Sequence, residues 1–329
     1  MRETGNKHAS WSELDPTELN RAAKLLASGG VVAFPTETWY GLAVDPFDPQ
    51  ALSRLFAVKA RPPEKPVLVL IGSHRDLDLL VSGIPEPYFA LMEQFWPGPL
   101  TLVFPARKEL PRQLTAGSET IAIRYSPHPV AQALVTCYGR PITATSANRS
   151  GQPACASAAE VRAALGPSLD LILDGGATPG GAGSTIVRYG HGRLKCLRDG
   201  QLDFDRILAV ERQHLQRLQG ETMNELMWSR EFTLKQMDGD AQLLDELLVL
   251  FCDASDKDFA TLCEAAEAED AAGVVAAAHS IKGAAAALGI EGIRQLALEI
   301  ELQAREGDVG LALREKDRLG RLLQACRQL

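Results

Sequence analysis

The chain has no Cys-x-x-Cys pair and no Cys/His cluster at metal-ligand spacing; Cys137, Cys155, Cys196, Cys252, Cys263 and Cys326 are scattered. That pattern argues against a zinc site and reads as reduced thiols, and no protein-held metal is expected. No run reaches the ~18 apolar residues that suggest a membrane span. The start, MRETGNKHASWSELD, has no apolar stretch of the kind that directs secretion. The expectation is a cytoplasmic protein with no membrane partner. Internal repeats and low-complexity tracts are missing too. From residue 225 onward proline is absent and β-branched residues are few, so strand signals stop there.

With 329 residues the chain exceeds the ~100–200 of a typical domain, so two domains are expected. Charge divides the same way. Residues 1–220 carry 23 basic and 21 acidic side chains, net +2, whereas residues 221–329 carry 11 and 21, net −10. The acidity of the C-terminal stretch argues against nucleic-acid binding there.

Helical spacing over 16–28 (Leu19, Ala22, Ala23, Leu25, Leu26) ends at Gly29-Gly30 and is followed by the apolar strand VVAFP, 31–35. Similar strand-like runs recur at 67–71, 100–105, 120–124, 141–145, 169–174 and 184–188. Helical patterns lie at 50–58, 75–81, 87–95, 129–137 and 157–165. This alternation predicts an α/β fold with a mixed sheet. A helical connector is expected over about 203–219. Beyond it, amphipathic segments near 241–254, 256–268, 270–288, 290–305 and 309–327 predict an all-α bundle of four long helices plus a shorter element. The expected division is 1–215, a linker over 216–227, and 228–329.

Four stretches concentrate polar chemistry: PTETWYGL (35–42), KARP (59–62), TSANRSG (145–151) and GAGSTIVR (181–188). All lie at strand ends or loops, where a ligand can meet several side chains. An extended KARP would aim Lys59 and Arg61 the same way, a double-positive site for phosphate oxygens. Ser146 and Asn148 would share a face, offering a hydroxyl and an amide to phosphate or ribose. Each motif alone also fits a solvated surface or a turn. The glycine-rich GGATPGGAGST lacks the lysine of a phosphate-binding GxxxxGK[ST] loop.

In this order and spacing the motifs resemble the YrdC-like threonylcarbamoyl-AMP synthase family over about 15–205. The resemblance rests on Lys59-x-Arg61, Ser146-x-Asn148, PTET with YGL, WPGPLTLVF (96–104), TIAIR (120–124), STIVR and LRDG (197–200). It implies a twisted mixed-sheet domain with flanking helices. The implied reaction condenses L-threonine, bicarbonate and ATP, carried with Mg2+, to threonylcarbamoyl-AMP and pyrophosphate, toward a modified adenosine in tRNA. It also implies tRNA or a downstream tRNA-modifying complex as partner, and a link to double-stranded RNA. Lys59, Arg61, Ser146 and Asn148 would form the catalytic set. Lys59, Arg61, Thr120, Ser146 and Arg198 would hold ATP; Thr36, Arg124 and Ser184 would hold threonine. Two positions depart from the family pattern: Leu70 stands where many members have His, and Ala154 where many have Ser. A competing reading keeps the basic site as an RNA-binding module without synthesis.

In the acidic C-terminal stretch, AAAHSIKGAAAALG (276–289) places His279 and Lys282 three residues apart on one helical face among alanines. An imidazole, a neighbouring ammonium and small surroundings suit a phosphoryl carrier that a partner must approach. With Leu296 and Glu299 on the next helix, the region resembles histidine-phosphotransfer (Hpt) domains over about 228–329. That implies phosphorylation of His279, assisted by Lys282, by the receiver domain of a response regulator or hybrid kinase. A bare docking or dimerisation bundle is the competing reading.

Overall fold

A computed structural model describes residues 15–62 and 65–329, which divide into two compact units between His214 and Leu215. The first runs α1 (Pro16–Ala27), β1 (Val32–Pro35), β2 (Tyr40–Ala43), α2 (Pro49–Lys59), β3 (Val69–Leu70), α3 (Pro87–Phe95), β4 (Leu100–Pro105), α4 (Arg112–Thr115), β5 (Thr120–Arg124), α5 (Pro129–Tyr138), β6 (Ile142–Thr143), β7 (Thr145–Ser146), α6 (Ala158–Leu165), β8 (Leu171–Ile172), β9 (Thr185–Gly190) and β10 (Arg193–Arg198).

Local chemistry sets the ends of these elements. Asp15 caps α1 by accepting from the Thr17 amide, and Pro16 begins the helix, where its missing N–H costs nothing. Gly29 (φ 78°) then reverses the chain into β1.

The strands form two mixed sheets, ordered β7-β2-β1-β8 and β10-β9-β4-β5-β3-β6. β1 is buried on both faces: Ala33, with Val31 just before the strand, belongs to the larger core with α2 and α3, while Val32 and Phe34 pack with α1 and α5. Its uninterrupted apolar run follows from that double burial. The 141–145 run, expected as one strand, is two. The chain changes sheets at Ala144, whose amide donates to Leu68 O, while Thr143 Oγ1 donates to Leu42 O and accepts from Val44 N. The stretch 75–81 is a short 3-10 turn, His74–Leu79, and the Arg193–Arg198 strand has no counterpart among the expected elements.

Helix α7 (Phe204–Glu225) follows, starting in the first unit and ending in the second. The second unit continues with α8 (Arg230–Gln236), α9 (Ala241–Glu267), α10 (Ala271–Ala287), α11 (Glu291–Arg305) and α12 (Gly310–Ala325). Residues 216–225 of the expected linker are therefore helical, and Leu226 lies in the core of the second unit. No break occurs near 255. Phe251, Ser255 and Leu262 continue one buried stripe, and nothing in that stretch interrupts the helix ladder.

Candidate functional site

In the first unit a cavity of about 490 Å³ lies over one face of the six-stranded sheet. Register places Arg124, Thr101 and Ile186 in one row across β5, β4 and β9, and Ala122, Val103 and Arg188 in the next. Directly opposed residues project to the same side, so these rows build a floor. Thr36, Arg61, Thr120, Arg124, Ser146, Ser184 and Arg198, drawn from distant stretches, all line the cavity. Ala154 lines it as well. Leu70 is buried in the apolar cluster with α1 and α5 and is not on the cavity wall. Sequence reading did not single out Thr38, Trp39 and Arg188, which also line it.

The lysine of KARP is placed differently from the extended arrangement. Lys59 ends α2, and Ala60 turns left-handed (φ 48°), so Lys59 and Arg61 diverge. Lys59 is buried and outside the cavity lining; its Nζ donates to Ser146 O, Asn148 O (2.8 Å) and Asn148 Oδ1 (3.2 Å). Burial, with the nearby Arg61 charge, pushes it down to about 7. Arg61 lines the cavity and braces its own loop by donating to Lys65 O and Pro66 O. Ser146 Oγ donates to Asn148 Oδ1 (2.6 Å), and Asn148 Nδ2 donates to Gln152 O. Asn148 thus shapes the turn and leaves Ser146 on the wall.

At the Arg124 end, the guanidinium meets Glu37 Oε1 at 3.2 Å, with both side chains almost buried. Ser126 Oγ holds the other carboxylate oxygen, and Arg124 Nη1 reaches Thr38 Oγ1 at 3.4 Å. Arg124 Nε is buried, with no hydrogen-bond partner among the described residues. Arg198 donates to Ser184 O (2.7 Å) and Oγ (3.0 Å), and Ser184 Oγ shares a hydrogen bond with Thr101 Oγ1 (2.7 Å). Burial pushes Arg61 and Arg198 down from the ordinary arginine value, Arg198 also through Arg124. Guanidinium groups remain cationic despite such shifts. Of Arg61, Arg124, Arg188 and Arg198, only Arg124 has an ion-pair partner among the described residues. The cavity therefore suits a polyanion.

In the second unit, His279 stands on α10 with its side chain 63 % exposed. Ala276, Gly283 and Ala286, at helical spacing from it, are exposed and small. Its Nδ1 lies 3.1 Å from Glu301 Oε1 of α11, and Glu301 is buried. A carboxylate only accepts, so Nδ1 is the donor in this contact. Lys282 Nζ donates to Glu301 Oε2 (2.6 Å), and Arg305 also donates to this carboxylate. Burial alone would push Glu301 up, but hydrogen bonds from Lys282, His279 and Arg305 bring it to about 2. Glu299, singled out from sequence, is exposed; Glu301 two positions on is the partner. A glutamate between Ala297 and Ala304 of the buried stripe was the available clue.

The Sua5/YciO/YrdC family model, described as telomere recombination, matches residues 24–200, and an Hpt domain model matches 246–329. A threonylcarbamoyl-AMP synthase of Pyrococcus abyssi is 39 % identical over 197 residues, covering 60 % of this chain and 58 % of that protein. The chain thus spans under two thirds of that relative, as of the Bacillus subtilis one (57 %). A Vibrio cholerae threonylcarbamoyl-AMP synthase is 38 % identical over 184 residues, 55 % of this chain and 97 % of that protein. Among solved structures, P. abyssi Sua5 complexed with L-threonine superposes with a TM-score of 0.59 at 38 % identity, over 60 % of this chain and 58 % of that one. E. coli YciO gives 0.55 at 26 %, over 60 % and 96 %. The sheet unit with its cationic cavity, and these matches across it, place the chain in the Sua5/YciO/YrdC family, with an Hpt domain following in the same chain.

Proposed function

We propose that the first unit synthesises threonylcarbamoyl-AMP from L-threonine, bicarbonate and ATP. The observation that carries this is the convergence of Thr36, Arg61, Thr120, Arg124, Ser146, Ser184 and Arg198 on one cavity, combined with its excess of cations. Threonine lies at the Arg124 end, its carboxylate on the guanidinium and its polar groups near Thr36 and Ser184. ATP lies across Arg61, Ser146, Thr120 and Arg198. Bicarbonate gives CO2 and hydroxide; threonine's neutral amine adds to the CO2 to give a carbamate, and the proton it loses joins the hydroxide as water. A carbamate oxygen then attacks the α-phosphorus as the bond to pyrophosphate breaks. Arg61 and Arg198 offset the charge that builds on the leaving group, and the protein otherwise works by positioning. Mg2+ enters on the ATP phosphates. The product feeds tRNA modification. The RNA-binding reading without synthesis is not favoured, because it leaves the end of the cavity formed by Arg124, Thr36 and Ser184 without a purpose.

For the second unit the proposal is phosphotransfer at His279. Nε2 attacks the phosphorus of an aspartyl phosphate in a receiver domain, the P–O bond to the aspartyl group breaks and a carboxylate leaves, Lys282 steadies the phosphoryl group, and Glu301 holds the ring. Among the described residues no helix is long and apolar enough to cross a membrane, and we place the protein in the cytoplasm.

The test is pyrophosphate release from ATP with threonine and bicarbonate present. Wild-type protein releases it only when all three are supplied, and Arg124→Ala loses at least tenfold in kcat/KM for threonine. Release without threonine, or an undiminished Arg124→Ala, overturns the assignment.

A further inference from the structure

We infer that Lys59 acts on the nucleotide through the Ser146–Asn148 turn: it is a positioning residue that pins this turn, and it makes no contact with ATP itself. The inference rests on the proposed synthase reading and changes the role of a single residue within it. An ammonium has three N–H donors and no acceptor. In Lys59 all three are matched by oxygens of the turn: Ser146 O, Asn148 O and Asn148 Oδ1. None is left for a phosphate, and Lys59 does not line the cavity.

Without Lys59, the Ser146 and Asn148 carbonyls would lose their donor in a buried setting, a cost that forces a turn to rearrange. The backbone adds a second tie, since Ser150 N donates to Lys59 O (2.8 Å). The C-terminal end of α2 and the turn after β7 are therefore held at one point. Ser146 is the turn's contribution to the cavity wall, and its hydroxyl is aimed by Asn148 Oδ1, the oxygen that Lys59 also holds.

This arrangement explains how a Lys-x-Arg and a Ser-x-Asn far apart in sequence operate together: one member of each pair, Arg61 and Ser146, faces the ligand, and the other, Lys59 and Asn148, sets the turn. Arg61 and Cys155 are the titratable groups that bear on Lys59. Burial pushes the Cys155 thiol up, so it stays neutral and Arg61 supplies the opposing charge. A polyphosphate beside Arg61 offsets that charge and favours the protonated lysine.

A double-mutant cycle on the full chain separates positioning from contact. Lys59→Met, Ser146→Ala and the double variant are compared by steady-state pyrophosphate release, with Lys59→Arg as the conservative variant. If Lys59 works through Ser146, Lys59→Met raises KM for ATP tenfold or more in the wild-type background but no more than about twofold in the Ser146→Ala background, because coupled residues are non-additive. Fully multiplicative losses mean an independent contact and overturn the inference. Hydrogen exchange of amides 145–152 is read on the same proteins without substrate. Lys59→Met loses protection there while distant strands keep theirs; unchanged protection also overturns it. Should Lys59→Met fail to fold, Asn148→Ala, which removes one of the three acceptors, takes its place with the same two outcomes. An inactive wild type whose turn still loosens in the variant sinks the synthase reading and leaves the pinned turn standing.

Discussion

Replacing Glu37 with Gln leaves the Arg124 guanidinium without its counter-charge while keeping the shape of the site. The two groups meet at 3.2 Å with side chains 6 % and 11 % exposed. Breaking a buried pair by removing one partner costs about 3–5 kcal/mol, and the open cavity beside Arg124 favours the lower end, about 3 kcal/mol. For a unit of this size each kcal/mol moves the melting temperature by about 2–4 °C, which gives a drop of about 6–12 °C. Scanning calorimetry of the full-length protein, following the transition of the sheet unit, measures it. Glu37→Gln/Arg124→Gln, which removes both charges, should recover most of the loss. A Glu37→Gln transition within about 2 °C of wild type, or a double variant as unstable as the single, would show that Glu37 does not stabilise the site by balancing the Arg124 charge.

Glu301→Gln weakens the charge-assisted bond that orients His279, worth about 1.5–3 kcal/mol, so phosphotransfer from a phosphorylated receiver domain should slow by about 10–100-fold; an unchanged rate counts against orientation by Glu301. Glu301 is held at about 2, below its ordinary 4.5, so its contribution is present above about pH 4.5 and is lost as pH falls toward 2. Far-UV circular dichroism of wild type and Glu301→Gln should therefore show the stability gap between them closing over that window, and a gap constant with pH contradicts it. At Gly200, a Cβ would sit 2.3 Å from Thr185 N and 2.4 Å from Gly183 O. Gly200→Ala should cost more than ~2 kcal/mol, because the obstructing atoms are backbone, and raise KM for threonine through Ser184; a variant with wild-type melting and KM would show that this corner yields.

Much of the architecture is legible in the sequence because it follows from local rules. The Asp15-Pro16 start and Gly29-Gly30 stop of α1, and the doubly buried run of β1, are set by caps and burial within a few residues. What escapes depends on distant partners. An extended KARP is the simplest local expectation, but the turn carbonyls almost ninety positions away draw Lys59 off the cavity, and Ala60 takes the left-handed turn that allows it. Glu301 reaches His279 from the next helix, 22 positions on, and motif spacing within one helix cannot reveal that. The 141–145 run contains no residue that marks a change of sheet; the change is made by Leu68 and Leu42, which accept from Ala144 and Thr143. Arg188 gains its place from strand register, since Val103 and Ala122 lie in line with it across the cavity floor.

Synthesis by the first unit is read by transfer of 14C from labelled bicarbonate into an adenylate, separated by chromatography after incubation with ATP and L-threonine. A labelled threonylcarbamoyl-AMP peak that requires all three substrates and is lost in Arg124→Ala is the expected result. No labelled adenylate from folded wild-type protein, or an equal peak from Arg124→Ala, would contradict it.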